Sequence, residues 1–69
     1  MDHDIENWFS YHSPKGDQPE RYEKIRAAAK ALAYEIKACT PTSPDQTAAL
    51  RKLREAVMTA NASIACYGA

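Results

Sequence analysis

Neither sign of charge predominates in this chain: nine Lys and Arg side chains cancel nine Asp and Glu across 69 residues. That balance excludes broad, sequence-independent binding to long DNA or RNA, which works through a net positive field. A small anionic ligand held by a local cluster of cations is still allowed. Long apolar runs are missing too, none approaching the ~20 residues that span a bilayer. The start of the chain carries no signal-peptide pattern. The expectation is a soluble intracellular protein with no membrane partner.

Cysteine is scarce, and the two present, Cys39 and Cys66, fall at opposite ends of what reads as a helical hairpin. About 22 helical residues at ~1.5 Å each separate them by roughly 30 Å. A disulfide needs Cα atoms within ~7 Å, so an intrachain bridge is excluded on this reading. Both are expected to be buried, reduced thiols that pack like small hydrophobes. His3 and His12 have no third or fourth ligand at metal-binding spacing, so neither a metal nor a cofactor is expected. No Ser-His-Asp or Cys-His arrangement emerges from the spacing, and so small a chain has few surrounding residues to tune one. An enzyme is not expected. Domains of this size bury a modest share of their surface. With disulfide and metal set aside, partner subunits are the remaining source of stability.

Signals for strands are absent, whereas helix signals are plentiful. Residues 2–9 read as a short helix, with Ile5, Trp8 and Phe9 on one side and Asp2, Asp4 and Glu6 suited to its positive N-terminal end. Ser13-Pro14 and Gly16 break the chain and leave 10–17 as a loop. Two long helices follow, over 18–39 and 43–66. Asp17 and Glu20 have capping-box spacing with Pro19 in the first turn, and Ser43-Pro44-Asp45-Gln46 repeats the device. Pro41 ends the first long helix and Gly68 lies just past the second. The fold class is all-α, in a single small helical domain.

Apolar spacing assigns the packing. Tyr22, Ile25, Ala29, Leu32, Ile36 and Cys39 recur at intervals of three and four, as do Leu50, Leu53, Val57, Ala60, Ile64 and Tyr67. These are heptad seams, and the short turn between them predicts an antiparallel hairpin. One seam satisfies the other. The last helix has more to bury, however, because no charged side chain occurs from Ala56 to Cys66. A helix apolar nearly all round is a buried one. Assembly into a compact homo-oligomer is the expectation.

Chemistry concentrates in Phe9-Ser10-Tyr11-His12-Ser13-Pro14-Lys15, where flat rings and cationic donors share backbone that proline keeps out of a helix. Flat rings stack on bases, and Lys or Arg neutralises phosphates. Tyr11 has two readings, a ring closing the hairpin end with Trp8 and Phe9, or a stacking platform. Its polar neighbours Ser10 and His12 weaken the first. Arg26, Lys30 and Lys37 form one stripe, and Arg51, Lys52 and Arg54 cluster early on the last helix; the ordinary reading of each is a solvated face. Arg26 and Lys30 follow the aromatic loop closely enough to share a pocket with Tyr11 and Lys15. Thr59, Asn61 and Ser63 are the polar side chains of the apolar helix. They set helix register or meet a polar ligand where several copies converge.

Three strings, taken together, carry a resemblance: Phe9-Ser10-Tyr11-His12-x-Pro14-Lys15, then Gln18-x-x-Arg21-Tyr22-x-x-Ile25-Arg26-x-x-Ala29-Lys30-x-Leu32-Ala33, and Leu50-x-x-Leu53-x-x-Ala56-Val57-Met58-x-Ala60-Asn61-Ala62-Ser63-Ile64-Ala65. In order and spacing, over about residues 7–65, the chain resembles the small phage proteins that defeat cyclic-oligonucleotide-based antiphage signalling (anti-CBASS). The resemblance implies a helical homohexamer in the host bacterial cytoplasm that sequesters a second messenger without cleaving it. It implies cyclic dinucleotides such as cyclic GMP-AMP, held between protomers, with Tyr11 stacking on a base. Lys15, Arg26 and Lys30 are then the phosphate candidates and His12 their neighbour. Some members also take cyclic trinucleotides at a separate site made by several protomers. The candidates for that site are Arg51, Arg54, Asn61 and Ser63. Thr59 departs from the pattern, which leads one to expect an aromatic residue after Met58. The alternative reading is an oligomeric helical adaptor whose aromatic loop docks a protein partner.

Overall fold

Asp2 starts the first helix by accepting the backbone N–H of Asp4 at 3.0 Å and of Ile5 at 3.4 Å on its Oδ1. The computed structural model describes residues 2–68, so Met1 and Ala69 lie outside it. The described residues form α1 (His3–Trp8), α2 (Gln18–Cys39) and α3 (Pro44–Tyr67), with no strand among them. The fold is all-α, and the sequence places each helix to within a residue at either end.

The start of α2 differs from expectation. Asp17 makes no capping bond through its side chain; its Oδ1 instead pairs with Arg21 Nε at 3.1 Å, one turn on. The turn into the helix is closed between Lys15 and Gln18: the Gln18 N–H donates to the Lys15 carbonyl at 2.9 Å, and the Lys15 N–H donates to Gln18 Oε1 at 3.1 Å. Gly16 sits inside that turn at φ 51°, a left-handed conformation that glycine adopts without a Cβ penalty. At α3 the expected cap forms, with the Gln46 N–H donating to Ser43 Oγ at 3.1 Å and Pro44 in the first position.

The Gln46 side chain does not complete a capping box. It reaches back across the turn, where Nε2 donates to the Thr40 carbonyl and Thr40 Oγ1, each at 3.1 Å, with the Lys37 carbonyl at 3.5 Å. Gln18 does the same at the other end of the hairpin, its Nε2 donating to the Ile64 carbonyl at 3.2 Å and to the Gly68 carbonyl. The last carbonyls of a helix have no partner within it. Here the first turn of each long helix supplies one glutamine to the end of the other. These are the chain's only two glutamines. Gly68 allows the approach, since a Cβ there would lie 2.5 Å from the Ile64 carbonyl oxygen.

The two clamps fix α2 and α3 as antiparallel neighbours, and α1 lies against α3. The whole measures 46 × 27 × 13 Å. The smallest dimension is about one helix diameter, ~10–12 Å with side chains. With nothing above or below this single layer, enclosure is slight. Among the described residues only Gln18 (3% exposed), Gln46 (8%) and Ile64 (9%) are buried. The rest of the seam, including Ile25, Ala29, Ile36, Leu53, Val57 and Ala60, is half-buried.

Three expected seam positions fall outside it. Leu32 and Tyr67 are exposed, and Ala33 takes the inward position beside Leu32. Cys39 is exposed as well, its thiol facing Glu35 Oε2 at 3.8 Å, while Cys66 is half-buried. Both cysteines are free thiols. A straight helix drifts ~20° per heptad from a strict seven-residue repeat, and over α2 that drift carries the later positions off the contact. No helix among the described residues is long and apolar enough to cross a membrane.

Replacing either Gln18 or Gln46 by Ala removes a buried donor that bridges the facing helix end, so each should lower stability by about 1–3 kcal/mol. Exposed Lys52→Ala should stay within about 0.5 kcal/mol of the parent. Urea unfolding followed by circular dichroism checks both. Equal effects at Gln18 and Lys52 would remove the clamp from the account.

Candidate functional site

The N-terminal segment docks on the end of α3 through polar contacts. Asn7 Nδ2 donates to the Cys66 carbonyl at 3.0 Å, and Trp8 Nε1 donates to the Tyr67 hydroxyl at 3.0 Å. That hydroxyl in turn donates to Asp4 Oδ1 at 3.5 Å. Ser10 Oγ closes α1 by donating to the Glu6 carbonyl. Docked this way, the loop passes over the junction between the end of α3 and the start of α2. A cleft of 230 Å³ lies there, lined among others by His12, Ser13, Lys15, Gln18, Cys66 and Gly68.

His12 and Lys15, two of the candidates, are therefore brought together. The His12 Nε2 lies 2.6 Å from the Asn7 carbonyl oxygen. Tyr11 stands beside them on the same loop, 85% exposed. Its ring is presented to solvent and does not close the hairpin end.

Arg26 and Lys30 lie elsewhere within one chain. Eight and twelve residues beyond Gln18, they sit roughly 12 and 18 Å farther along α2. Arg26 is exposed and its Nη1 pairs with Glu23 Oε2 at 2.5 Å. Lys30 lines a different groove, of 280 Å³, opposite Arg54 and over Leu50 and Met58. The antiparallel hairpin sets these two cations at the same level, one on each helix.

The remaining candidates are dispersed along α3. Arg51 is exposed. Asn61 is half-buried, and its Oδ1 is shielded from solvent with no hydrogen-bond partner. Ser63 lines a third cavity, of 430 Å³, with Trp8, Met58, Thr59 and Tyr67. Thr59 is occupied with its own helix, Oγ1 donating to the Glu55 carbonyl at 2.9 Å. Among the described residues no group of three or more His, Cys, Asp or Glu is placed to hold a metal ion.

Sequence reasoning missed Asn7, Gln18 and Cys66 as parts of the cleft. The signal for Gln18 was available, because a glutamine in the first turn of each long helix is a donor for the facing helix end. Asn7 and Cys66 meet across 59 residues of chain, which no local pattern reveals.

The cleft offers an ammonium, an imidazole and a hydroxyl, and among the described residues no carboxylate side chain lines it. Donors of that kind, next to an exposed aromatic ring, suit a planar ligand bearing phosphate. Cys66 and His12 share the cleft but are not placed as nucleophile and base. The Cys66 thiol donates to the Asn7 carbonyl at 3.7 Å, the same oxygen that His12 Nε2 faces. Two donors converge on one acceptor, and neither activates the other.

No curated protein and no solved structure matches the chain. A family model does: residues 1–65 match the hairpin domain of Acb2/Tad1. The match takes in the docked N-terminal helix, the aromatic loop, α2 and nearly all of α3. The chain belongs to the Acb2/Tad1 hairpin-domain family, that of anti-CBASS protein 2.

Proposed function

We propose that this protein is a phage counter-defence sponge. It binds cyclic dinucleotides such as cyclic GMP-AMP and sequesters them intact, so that CBASS effectors in the host cytoplasm are not activated. One observation carries the reading: a chain matched to this family over residues 1–65 presents an exposed Tyr11 ring beside a cleft lined by His12 and Lys15.

The chemistry follows from the ligand. A cyclic dinucleotide has two bases and two phosphates, and a two-fold pair of protomers supplies two tyrosines and two sets of cations in matching symmetry. Each base stack contributes on the order of 1–3 kcal/mol, and charge-assisted contacts to the phosphates add to it. Tyr11, His12 and Lys15 come from one chain. Arg26 and Lys30, set farther along α2, reach the same ligand from a neighbouring copy. The exposed Leu32 and Met58 supply apolar surface for that neighbour, in an assembly we take to be a homohexamer.

A second site for cyclic trinucleotides would draw on Arg51, Arg54, Asn61 and Ser63 of several protomers. Arg54 and Ser63 line separate cavities of one chain, which supports a site completed by assembly.

Titration calorimetry with cyclic GMP-AMP, against a linear dinucleotide control, tests the reading. Tight binding of the cyclic form with recovery of intact ligand is expected, and no heat with any cyclic nucleotide favours the protein-docking adaptor. Tyr11→Ala should keep the assembly and weaken binding about tenfold or more, the loss expected for a base stack of 1–3 kcal/mol. Tyr11→Phe should be mild. Binding by Tyr11→Ala equal to the parent's would show that the stack lies elsewhere.

Competition separates the two ligand classes. Saturating cyclic trinucleotide should leave cyclic dinucleotide affinity nearly unchanged, and Tyr11→Ala should spare trinucleotide binding. Mutual exclusion would point to one shared pocket and leave Asn61 as a residue of helix register.

A further inference from the structure

The His12 ring is anchored from one side. A carbonyl oxygen has no hydrogen to give, so across the 2.6 Å contact with Asn7 it is the ring nitrogen Nε2 that donates. The hydrogen of the neutral ring therefore sits on Nε2, and Nδ1 carries a lone pair. The anchor itself is held in place. Asn7 Nδ2 donates to the Cys66 carbonyl at 3.0 Å, and the Cys66 thiol donates back to the Asn7 carbonyl. Nδ1 has no partner among the described residues.

The surroundings decide what Nδ1 can meet. Among the described residues, the charged or titratable ones that line the cleft with His12 are Lys15 of its own loop and Cys66 and Tyr67 of α3. The element α2 contributes the neutral Gln18 amide, and α1 contributes the Asn7 carbonyl. A lone pair at Nδ1 repels a phosphate oxygen. Adding a proton turns the same atom into an N–H donor, with a positive charge beside Lys15 that an anion in the cleft offsets.

We infer that His12 meets a phosphate of the bound cyclic dinucleotide through Nδ1 as an imidazolium, so that capture of the ligand takes up a proton from solvent. The inference rests on the sponge reading and concerns the regulation of that same site. The sign follows directly. A proton bound together with the ligand makes affinity fall as pH rises, by up to about tenfold per unit. The ligand's phosphodiesters stay charged throughout, so the uptake reports on the protein.

Calorimetric titration of the unmodified protein with cyclic GMP-AMP, in buffers of different ionisation enthalpy and at successive mildly alkaline pH values, measures this. The expected result is an observed heat that tracks buffer ionisation, with an uptake approaching one proton per His12 contact. Affinity should weaken by up to about tenfold for each further pH unit. Both signals should vanish in His12→Gln, whose amide still donates to Asn7 but does not titrate. Binding with the same heat in every buffer overturns the inference and leaves the sponge standing, as does uptake that persists in His12→Gln. Absence of binding at every pH overturns both.

Discussion

A layer one helix thick encloses almost nothing, and the rest of this structure follows from that. At 13 Å across its thinnest dimension, the hairpin gives each side chain neighbours to left and right but none above and below. Burial is then deepest at the two ends of the hairpin, where Gln18 and Gln46 close facing backbone carbonyls. Ile64, buried between the Gln18 clamp and the seam, is the exception that shows how little apolar burial one copy achieves. An uncharged stretch from Ala56 to Cys66 would be a poor surface for a free monomer. It is well suited to a chain that completes its core with further copies.

The same constraint places the cleft. In a single layer a concavity forms only where chain folds over an edge, and here the N-terminal segment folds over the end of α3. Helix C-termini carry partial negative charge and unpaired carbonyls, so donors gather there. Asn7, Gln18 and the Gly68 N–H take the carbonyls of Ile64, Cys66 and Gly68 between them. Among the described residues, Lys15 and His12 are left with no carbonyl of α3 to bind and no carboxylate side chain lining the cleft beside them. The donors that hold the fold and those free for an anion thus sit side by side.

Much of the fold was legible because its signals are local. Ser43 with Pro44, Pro19 in the first turn of α2, and the three-four spacing of Ile25, Ala29 and Leu53, Val57, Ala60 each act within a few residues. Asp17 misled because its spacing to Glu20 is that of a cap, whereas Arg21 one turn away offered its carboxylate a stronger, charged partner. Leu32 and Cys39 misled because a seven-residue repeat is not the helix's own period. The Gln18 clamp escaped because its partner Ile64 lies 46 residues away, and only the place of Gln18 in the first turn hinted at it. The pairing of Lys30 with Arg54 in one groove likewise depends on how the hairpin registers. The exposure of Tyr11 depends on where α1 docks, through contacts of Asn7 and Trp8 that no sequence pattern announces.

Native mass spectrometry of the unmodified protein with cyclic GMP-AMP tests the central claim most directly, because it reads assembly and ligand in one spectrum. The account predicts a complex of six chains that retains cyclic GMP-AMP at its unaltered mass. A folded single chain without ligand would contradict it, and so would a bound nucleotide heavier by one water, the mark of a cleaved ring.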